Sequence, residues 1–116
     1  MSQPTADLIP ALDRIIHEPA RLAILTLLSS VEEVDFNYLI AALGLSRGNL
    51  SSHMARLAEA GYVEVRKRFL GSVPNTSYSL LPAGREALKA YWQAIDGIRS
   101  RAASAQGEVL RASAQT

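Results

Sequence analysis

The sequence predicts an α+β fold, mainly α, arranged as one domain over residues 1–116. Three observations support this fold class. Apolar residues recur at helical spacing up to about residue 60, and the pattern changes to β-favouring alternation between residues 62 and 81. Helical spacing then returns after Pro82. A chain of 116 residues suits a single domain that buries a sizeable core.

The N-terminal part of the chain predicts two helices. A first helix is expected from an N-cap at Thr5 to about His17, because Pro19 disfavours helical backbone at Glu18. Its apolar residues are Leu8, Leu12, Ile15 and Ile16. Pro19 suits the first turn of a second helix over about residues 19–30, which is apolar around most of its girth. We therefore expect the second helix at the centre of the core.

Two short helices joined by a tight turn are predicted over about residues 37–60. Either Asp35 or Asn37 can cap the first of them, and Gly44 is placed to end it in a left-handed conformation. Ser46 offers a second N-cap two residues later. This arrangement is a helix-turn-helix, with a short strand expected before it at residues 33–36.

A hairpin and a long helix complete the predicted order of elements. The hairpin covers about residues 63–81 and has a long tip, since Gly71, Pro74 and Asn75 interrupt the alternation. Pro82 opens the last helix, whose apolar residues follow steps of three and four up to about residue 112. Such a seam predicts a homodimer interface, unless it packs only within its own protomer. The candidate interface residues, with contributions from the first helix, are Leu8, Leu12, Leu88, Tyr91, Trp92, Ile95, Ile98, Ala102 and Val109.

The order of these elements is that of a winged helix, and four segments carry a family resemblance. They are residues 12–25, residues 35–39, Gly-Leu-Ser-Arg-Gly-Asn-Leu-Ser-Ser-His-Met at 44–54 and Glu-Ala-Gly-Tyr-Val-Glu-Val-Arg-Lys at 59–67. The chain resembles small single-domain winged-helix transcriptional regulators, close to the MarR-like and ArsR-like regulators. The resemblance implies a winged helix-turn-helix with a long C-terminal dimerisation helix. It also implies that the domain binds a double-stranded DNA operator. In such a fold the hairpin of about residues 63–81 is the wing. One departure from the family is that the tip of this wing has no basic residues, Gly-Ser-Val-Pro-Asn-Thr at 71–76.

The helix from Arg47 to Ala60 has the side chains that a DNA-reading helix needs. At 100° per residue, its apolar stripe is formed by Leu50, Met54 and Leu57. The opposite face is small and polar, which suits the major groove, where Asn pairs with adenine and Arg with guanine or phosphate. The candidate DNA-binding residues of helix and wing are Arg47, Gly48, Asn49, Ser51, Ser52, His53, Arg56, Arg66, Lys67 and Arg68.

Several of these residues have a second interpretation. Ser51 and His53 flank the apolar stripe, where they either contact phosphates or pack against the core. Arg66 and Arg68 lie on one face of a strand, and Lys67 lies on the other. The two arginines either face DNA together, or their charges keep a solvated edge strand from pairing with other strands. The formal net charge is +1, but residues 36–81 hold five cations against two carboxylates. That distribution favours an anionic partner, although an ordinary solvated face also explains it.

The composition argues against other function classes. With no cysteine, two histidines and no nucleophile or Walker motif, we expect no enzyme, no metal and no cofactor. A winged-helix protein-interaction module remains the alternative, although its outward face would be apolar. The longest apolar stretch, residues 22–28, is too short for a membrane, and no secretion signal is evident, so we expect a cytoplasmic protein. A small-molecule effector is open, and nothing in the sequence identifies one.

Overall fold

The computed structural model describes residues 9–114 and has the winged-helix fold, which confirms the predicted class. Helices and strands of the described residues follow the predicted order after residue 18. They are α1 (Pro19–Leu28), β1 (Val34–Asp35), α2 (Phe36–Leu43), α3 (Arg47–Glu59), β2 (Val63–Leu70), β3 (Val73–Leu80) and α4 (Pro82–Ala114).

The predicted first helix is wrong over the residues that the structure describes. Residues 9–18 form successive turns instead. The Asp13 carboxylate accepts hydrogen bonds from the backbone N–H groups of Ile15 at 2.8 Å and Ile16 at 3.3 Å. Such local side-chain bonds compete with helical ones, and Pro10 contributes no backbone N–H to a helix.

This turn segment nevertheless belongs to the core. Ile16 is fully buried, and Leu12 packs against the core cluster. The Tyr62 hydroxyl donates a hydrogen bond to the other oxygen of Asp13, which joins the segment to the start of the wing. The predicted cap Thr5 and the predicted interface residue Leu8 lie outside the described residues.

Helix α1 is the central helix, as expected from its apolar girth. Its residues Ile24, Leu25 and Leu28 are fully buried. Glu18 caps it by accepting a hydrogen bond from the Arg21 backbone N–H at 2.8 Å. The helix ends at Leu28, two residues before the predicted end.

The helix-turn-helix forms as the capping pattern predicts. Asp35, rather than Asn37, caps α2 by accepting a hydrogen bond from the Tyr38 backbone N–H at 2.7 Å. Gly44 ends α2 with φ of 68°, a left-handed conformation that favours glycine. Ser46 then caps α3 by accepting a hydrogen bond from the Asn49 backbone N–H at 3.1 Å. The apolar stripe of α3 is buried as predicted: Leu50, Met54 and Leu57.

The sheet has the order β1-β3-β2 and is antiparallel. The expected long hairpin tip is wrong, because Leu70 pairs with Val73 across the two-residue turn Gly71-Ser72. Gly71 has φ of 66°, which is the conformation that such a tight turn requires. Strand β3 contains Pro74, where the strand has an open edge because β1 pairs only with residues 77 and 78.

Helix α4 begins against the wing and extends beyond the body of the protein. Gly84 lies so close to Tyr62 that a Cβ would be 2.2 Å from the Tyr62 carbonyl oxygen. The 33-residue helix is about 50 Å long, and the described residues span 75 × 28 × 21 Å. Leu88 and Tyr91 are buried in the core of their own protomer, which corrects their assignment to the dimer interface.

Candidate nucleic-acid interface

The outward face of α3 is exposed and polar. Four residues of this face are exposed: Gly48, Asn49, Ser52 and Arg56. The space around Gly48 is open, because no atom lies within 4 Å of a Cβ built there. The side chains of Asn49, Ser52 and Arg56 form no hydrogen bond or ion pair with the residues that the structure describes. Their donors and acceptors are therefore available to an external partner, and the helix presents little bulk to it.

Arg47 is held at the start of this face by α2. Its guanidinium lies 4.8 Å from the centre of the Phe36 ring and donates a hydrogen bond to Asn37 Oδ1 at 3.0 Å. These two contacts restrict the rotamers of a side chain that stays exposed. A fixed cation at a helix start loses less side-chain entropy when it binds a phosphate.

A groove of about 480 Å³ separates α3 from the wing. Its polar lining comes from both helices of the helix-turn-helix and both strands of the wing: Asn37, Arg47, Ser51, Lys67, Asn75 and Thr76. Lys67 is paired with Thr76 in the hairpin register, so both side chains lie on the face toward α3. Lys67 has no ion pair among the described residues.

Arg66 and Arg68 lie on the opposite face of the wing, and both have carboxylate partners. Arg66 Nη2 lies 2.7 Å from Glu64 Oε1, and Arg68 Nη2 lies 2.5 Å from Glu33 Oε2. The alternation predicted for the three cations is therefore present. The structure brings Lys67, rather than the two arginines, into the groove beside α3.

A buried hydroxyl completes the contact between Glu33 and the wing. Ser77, only 2% exposed, donates a hydrogen bond to Glu33, and Arg68 lies 3.4 Å from the same hydroxyl. The Ser77 hydroxyl and the Arg68 guanidinium hold the pKa of Glu33 below its usual value of 4.5. Glu33 is therefore charged at neutral pH and anchors β2 and β3 to the segment before β1.

His53 faces α1 instead of the outward surface. Its Nδ1 lies 3.2 Å from Arg21 Nη1 and 3.6 Å from Glu18 Oε2. Burial raises the pKa of Glu18, but backbone hydrogen bonds from Arg21 and Ala20 and the charges of His53 and Arg21 lower it by more. His53 is thus half-buried between α3 and the cap of α1, the packing position that sequence reasoning left open.

Sequence reasoning missed three residues that line the groove: Asn37, Asn75 and Thr76. Asn37 was a candidate cap, and its side chain is free to contact Arg47 because Asp35 caps α2. The hairpin register would have indicated Thr76, since it is the partner of Lys67. That register depends on the two-residue turn, which the sequence pattern did not predict.

Residues 9–114 have neither a metal centre nor a membrane-spanning helix. Within this range, no group of three or more His, Asp or Glu side chains is placed to hold a metal ion. No helix of this range is long and apolar enough to cross a bilayer.

An exposed polar helix after a tight turn, with a hairpin beside it, defines a winged-helix DNA-binding domain. The chain belongs to the winged helix DNA-binding domain family, whose model matches residues 20–98. It is also similar to an uncharacterized protein of Methanocaldococcus jannaschii, with 37% identity over 78 residues, covering 67% of this chain and 85% of that protein.

Solved structures of similar fold include transcriptional regulators. One is a transcriptional regulator homologue protein from Pyrococcus horikoshii, with a TM-score of 0.72 and 24% identity, covering 82% of this chain and 92% of that one. Another is a possible transcriptional regulator for arsenical resistance, with a TM-score of 0.61 and 32% identity, covering 78% of this chain and 91% of that one. MarR-family regulators also share the fold. The resemblance to winged-helix regulators is thereby confirmed.

Proposed function

We propose that this protein is a sequence-specific DNA-binding transcriptional regulator that acts as a homodimer. In this proposal α3 enters the major groove and the wing contacts the backbone or the minor groove. The observation that carries the proposal is the outward face of α3, where Asn49, Ser52 and Arg56 are exposed and have no partner among the described residues. The centre of a protein–protein interface is more apolar than the rest of the surface, whereas these three positions carry only polar and charged side chains.

The roles of individual residues follow from their positions on α3 and the wing. Asn49 and Ser52 lie on the central part of the outward face, so we assign them to base edges. Arg47 and Arg56, in the first and last turns, are assigned to phosphates on either side. Lys67 is assigned to the phosphates nearest the groove between α3 and the wing.

The homodimer is assigned to the distal part of α4. Trp92 is 41% exposed and Val109 is 63% exposed, on a helix that continues beyond the protomer's own core. A helix with this much exposed apolar area is stable in water when it packs against a partner. Two copies related by a two-fold axis would read a palindromic operator in the cytoplasm, where we place the protein.

Selection of bound sequences from random DNA at one fixed salt concentration tests this function. We expect enrichment of a short half-site that occurs twice, with centres separated by about 10 base pairs or a multiple of that spacing. Absence of any binding at low salt would contradict the proposal and favour the protein-interaction module. Binding without enrichment would refute sequence specificity while leaving DNA as the partner.

A further inference from the structure

The tip of the wing is apolar and exposed, although it extends from a basic hairpin. Phe69 is 70% exposed, Leu70 59% and Val73 63%. They surround the two-residue turn Gly71-Ser72, at the end of strands that are eight residues long. No contact within the described residues explains this apolar surface.

The register places apolar side chains on both faces of the tip. Phe69 is opposite Pro74 on one face, and Leu70 is opposite Val73 on the other. A hairpin that docks on a flat surface needs one apolar face, and its second face would be polar. An apolar tip with two such faces fits a narrow cleft that contacts both of them.

A cation follows each apolar residue of β2 on the same face. Lys67 lies two residues before Phe69, and Arg68 two residues before Leu70, a distance of about 7 Å along the strand. Arg68 also contacts Glu33, but a guanidinium has five N–H donors. The tip therefore fits a cleft that has an apolar interior for the apolar residues and an anionic rim on each side for the cations. The DNA minor groove has phosphates on both rims and stacked bases beneath them.

We propose that the wing tip is a wedge that enters the minor groove and inserts Phe69 between base pairs, which bends the bound DNA. This inference rests on the proposed function. The Phe69 face is continuous with the groove beside α3, because Pro74 lines that groove. Apolar side chains that unstack one base step bend DNA toward the major groove and bring more of it against the protein.

The test uses the full chain and duplexes of the selected operator. Each duplex carries 2-aminopurine at one position in turn, and a second set carries a donor and an acceptor dye at its ends. Wild type is compared with Phe69→Ser/Leu70→Ser and with Val31→Ser, which removes an exposed apolar side chain from a loop outside the wing. Circular dichroism checks the fold of each variant, and sedimentation gives its oligomeric state.

For wild type and Val31→Ser we expect a rise in 2-aminopurine fluorescence confined to one base step, with a shorter end-to-end distance. Phe69→Ser/Leu70→Ser should lose both signals and bind about tenfold more weakly, with an unchanged salt dependence because the cations remain. If wild type binds but produces neither signal, or if the double variant keeps both, the wedge is wrong and the proposed function stands. If the double variant changes the oligomeric state, the tip packs on a second copy, which also overturns the wedge. If wild type binds no DNA at low salt, both proposals fail.

Discussion

Arg68 on the wing and Glu33 before β1 form an ion pair with an Nη2–Oε2 distance of 2.5 Å. The pair joins residues separated by 35 positions in sequence, and the buried Ser77 hydroxyl donates to the same carboxylate. The neighbouring Lys67 has no such partner among residues 9–114 and lines the groove beside α3. Adjacent cations of one strand therefore have different tasks: Arg68 orients the wing, and Lys67 is available to an anion.

The Glu33 contact predicts an acid-sensitive fold. The pKa of Glu33 is lowered in the folded protein, so its stabilising contribution is complete above the usual value of 4.5 and is lost as pH falls through the folded value. Glu33→Gln should lower the free energy of unfolding at pH 7 and flatten its pH dependence below pH 4.5. Urea unfolding at a series of pH values measures both effects.

The matched control is Glu32→Gln, which removes the same charge from the exposed neighbouring residue. It should leave the stability and its pH dependence close to wild type. Equal effects of the two substitutions would show that net charge, rather than the contact with Arg68 and Ser77, controls acid stability.

Gly84 is predicted to be required for the junction of α4 with the wing. A Cβ at this position would lie 2.2 Å from the Tyr62 carbonyl oxygen and 2.8 Å from Leu80 Cδ1. Gly84→Ala should lower the free energy of unfolding by about 1–3 kcal/mol, because the backbone must move to relieve the overlap. Thermal and urea unfolding measure the loss.

Gly107→Ala provides the control in the same helix. A Cβ added at Gly107 would lie 3.4 Å from Arg111 Nη1, the end of a flexible side chain, so alanine fits there. Alanine also has a higher helix propensity than glycine. We expect unchanged or slightly higher stability. A Gly84→Ala variant as stable as Gly107→Ala would contradict the close approach of α4 to Tyr62.

The wing cations are predicted to differ in their contributions to DNA affinity. Lys67→Ala should weaken binding to all sequences alike and reduce the slope of log affinity against log salt by about one. Arg66→Ala should have a smaller effect, since Arg66 already pairs with Glu64 at 2.7 Å. Lys89→Ala, on the exposed surface of α4, controls for loss of a positive charge. A larger loss for Arg66→Ala than for Lys67→Ala would mean that Arg66, rather than Lys67, is the wing cation that contacts the DNA phosphates.

The dimer seam predicts different effects for two neighbouring and equally exposed residues. Val109 lies on the predicted seam and Leu110 is turned about 100° away from it, although each is 63% exposed. Val109→Glu should shift the protein toward monomers, while Leu110→Glu should not. Sedimentation equilibrium at about tens of micromolar distinguishes the two. A monomeric wild type at that concentration would contradict the homodimer.

Local signals predicted most of the helix-turn-helix because they depend on neighbours in sequence. The Ser46 cap, the Gly44 stop and the buried stripe of α3 follow from residue types at fixed spacing. The first predicted helix failed for a local reason as well. Its apolar spacing was helical, but the Asp13 carboxylate accepts hydrogen bonds from the backbone N–H groups of residues 15 and 16 and stabilises a turn.

Long-range contacts were beyond the sequence pattern. Apolar spacing marks Leu88 and Tyr91 as inward-facing, but it does not distinguish the protomer's own core from a second copy. Packing on α1 and the turn segment, including the 2.9 Å contact of Tyr91 with His17, decides that question. The sequence pattern did not predict the ion pair of Arg68 either, because that pair depends on how the sheet brings Glu33 close to the wing.

In the proposed function the outward face of α3 reads base sequence. Equilibrium binding of wild type, Asn49→Ala and Ser52→Ala to the selected duplex and to a scrambled one, over several salt concentrations, tests it most directly. Gln93→Ala, an exposed amide on α4, is the control. We predict that wild type prefers the selected duplex by about a thousandfold or more, and that each α3 variant loses about 1–3 kcal/mol on that duplex and much less on the scrambled one. Equal losses on both duplexes, or equal wild-type affinity for them, would show that the outward face of α3 does not read base sequence.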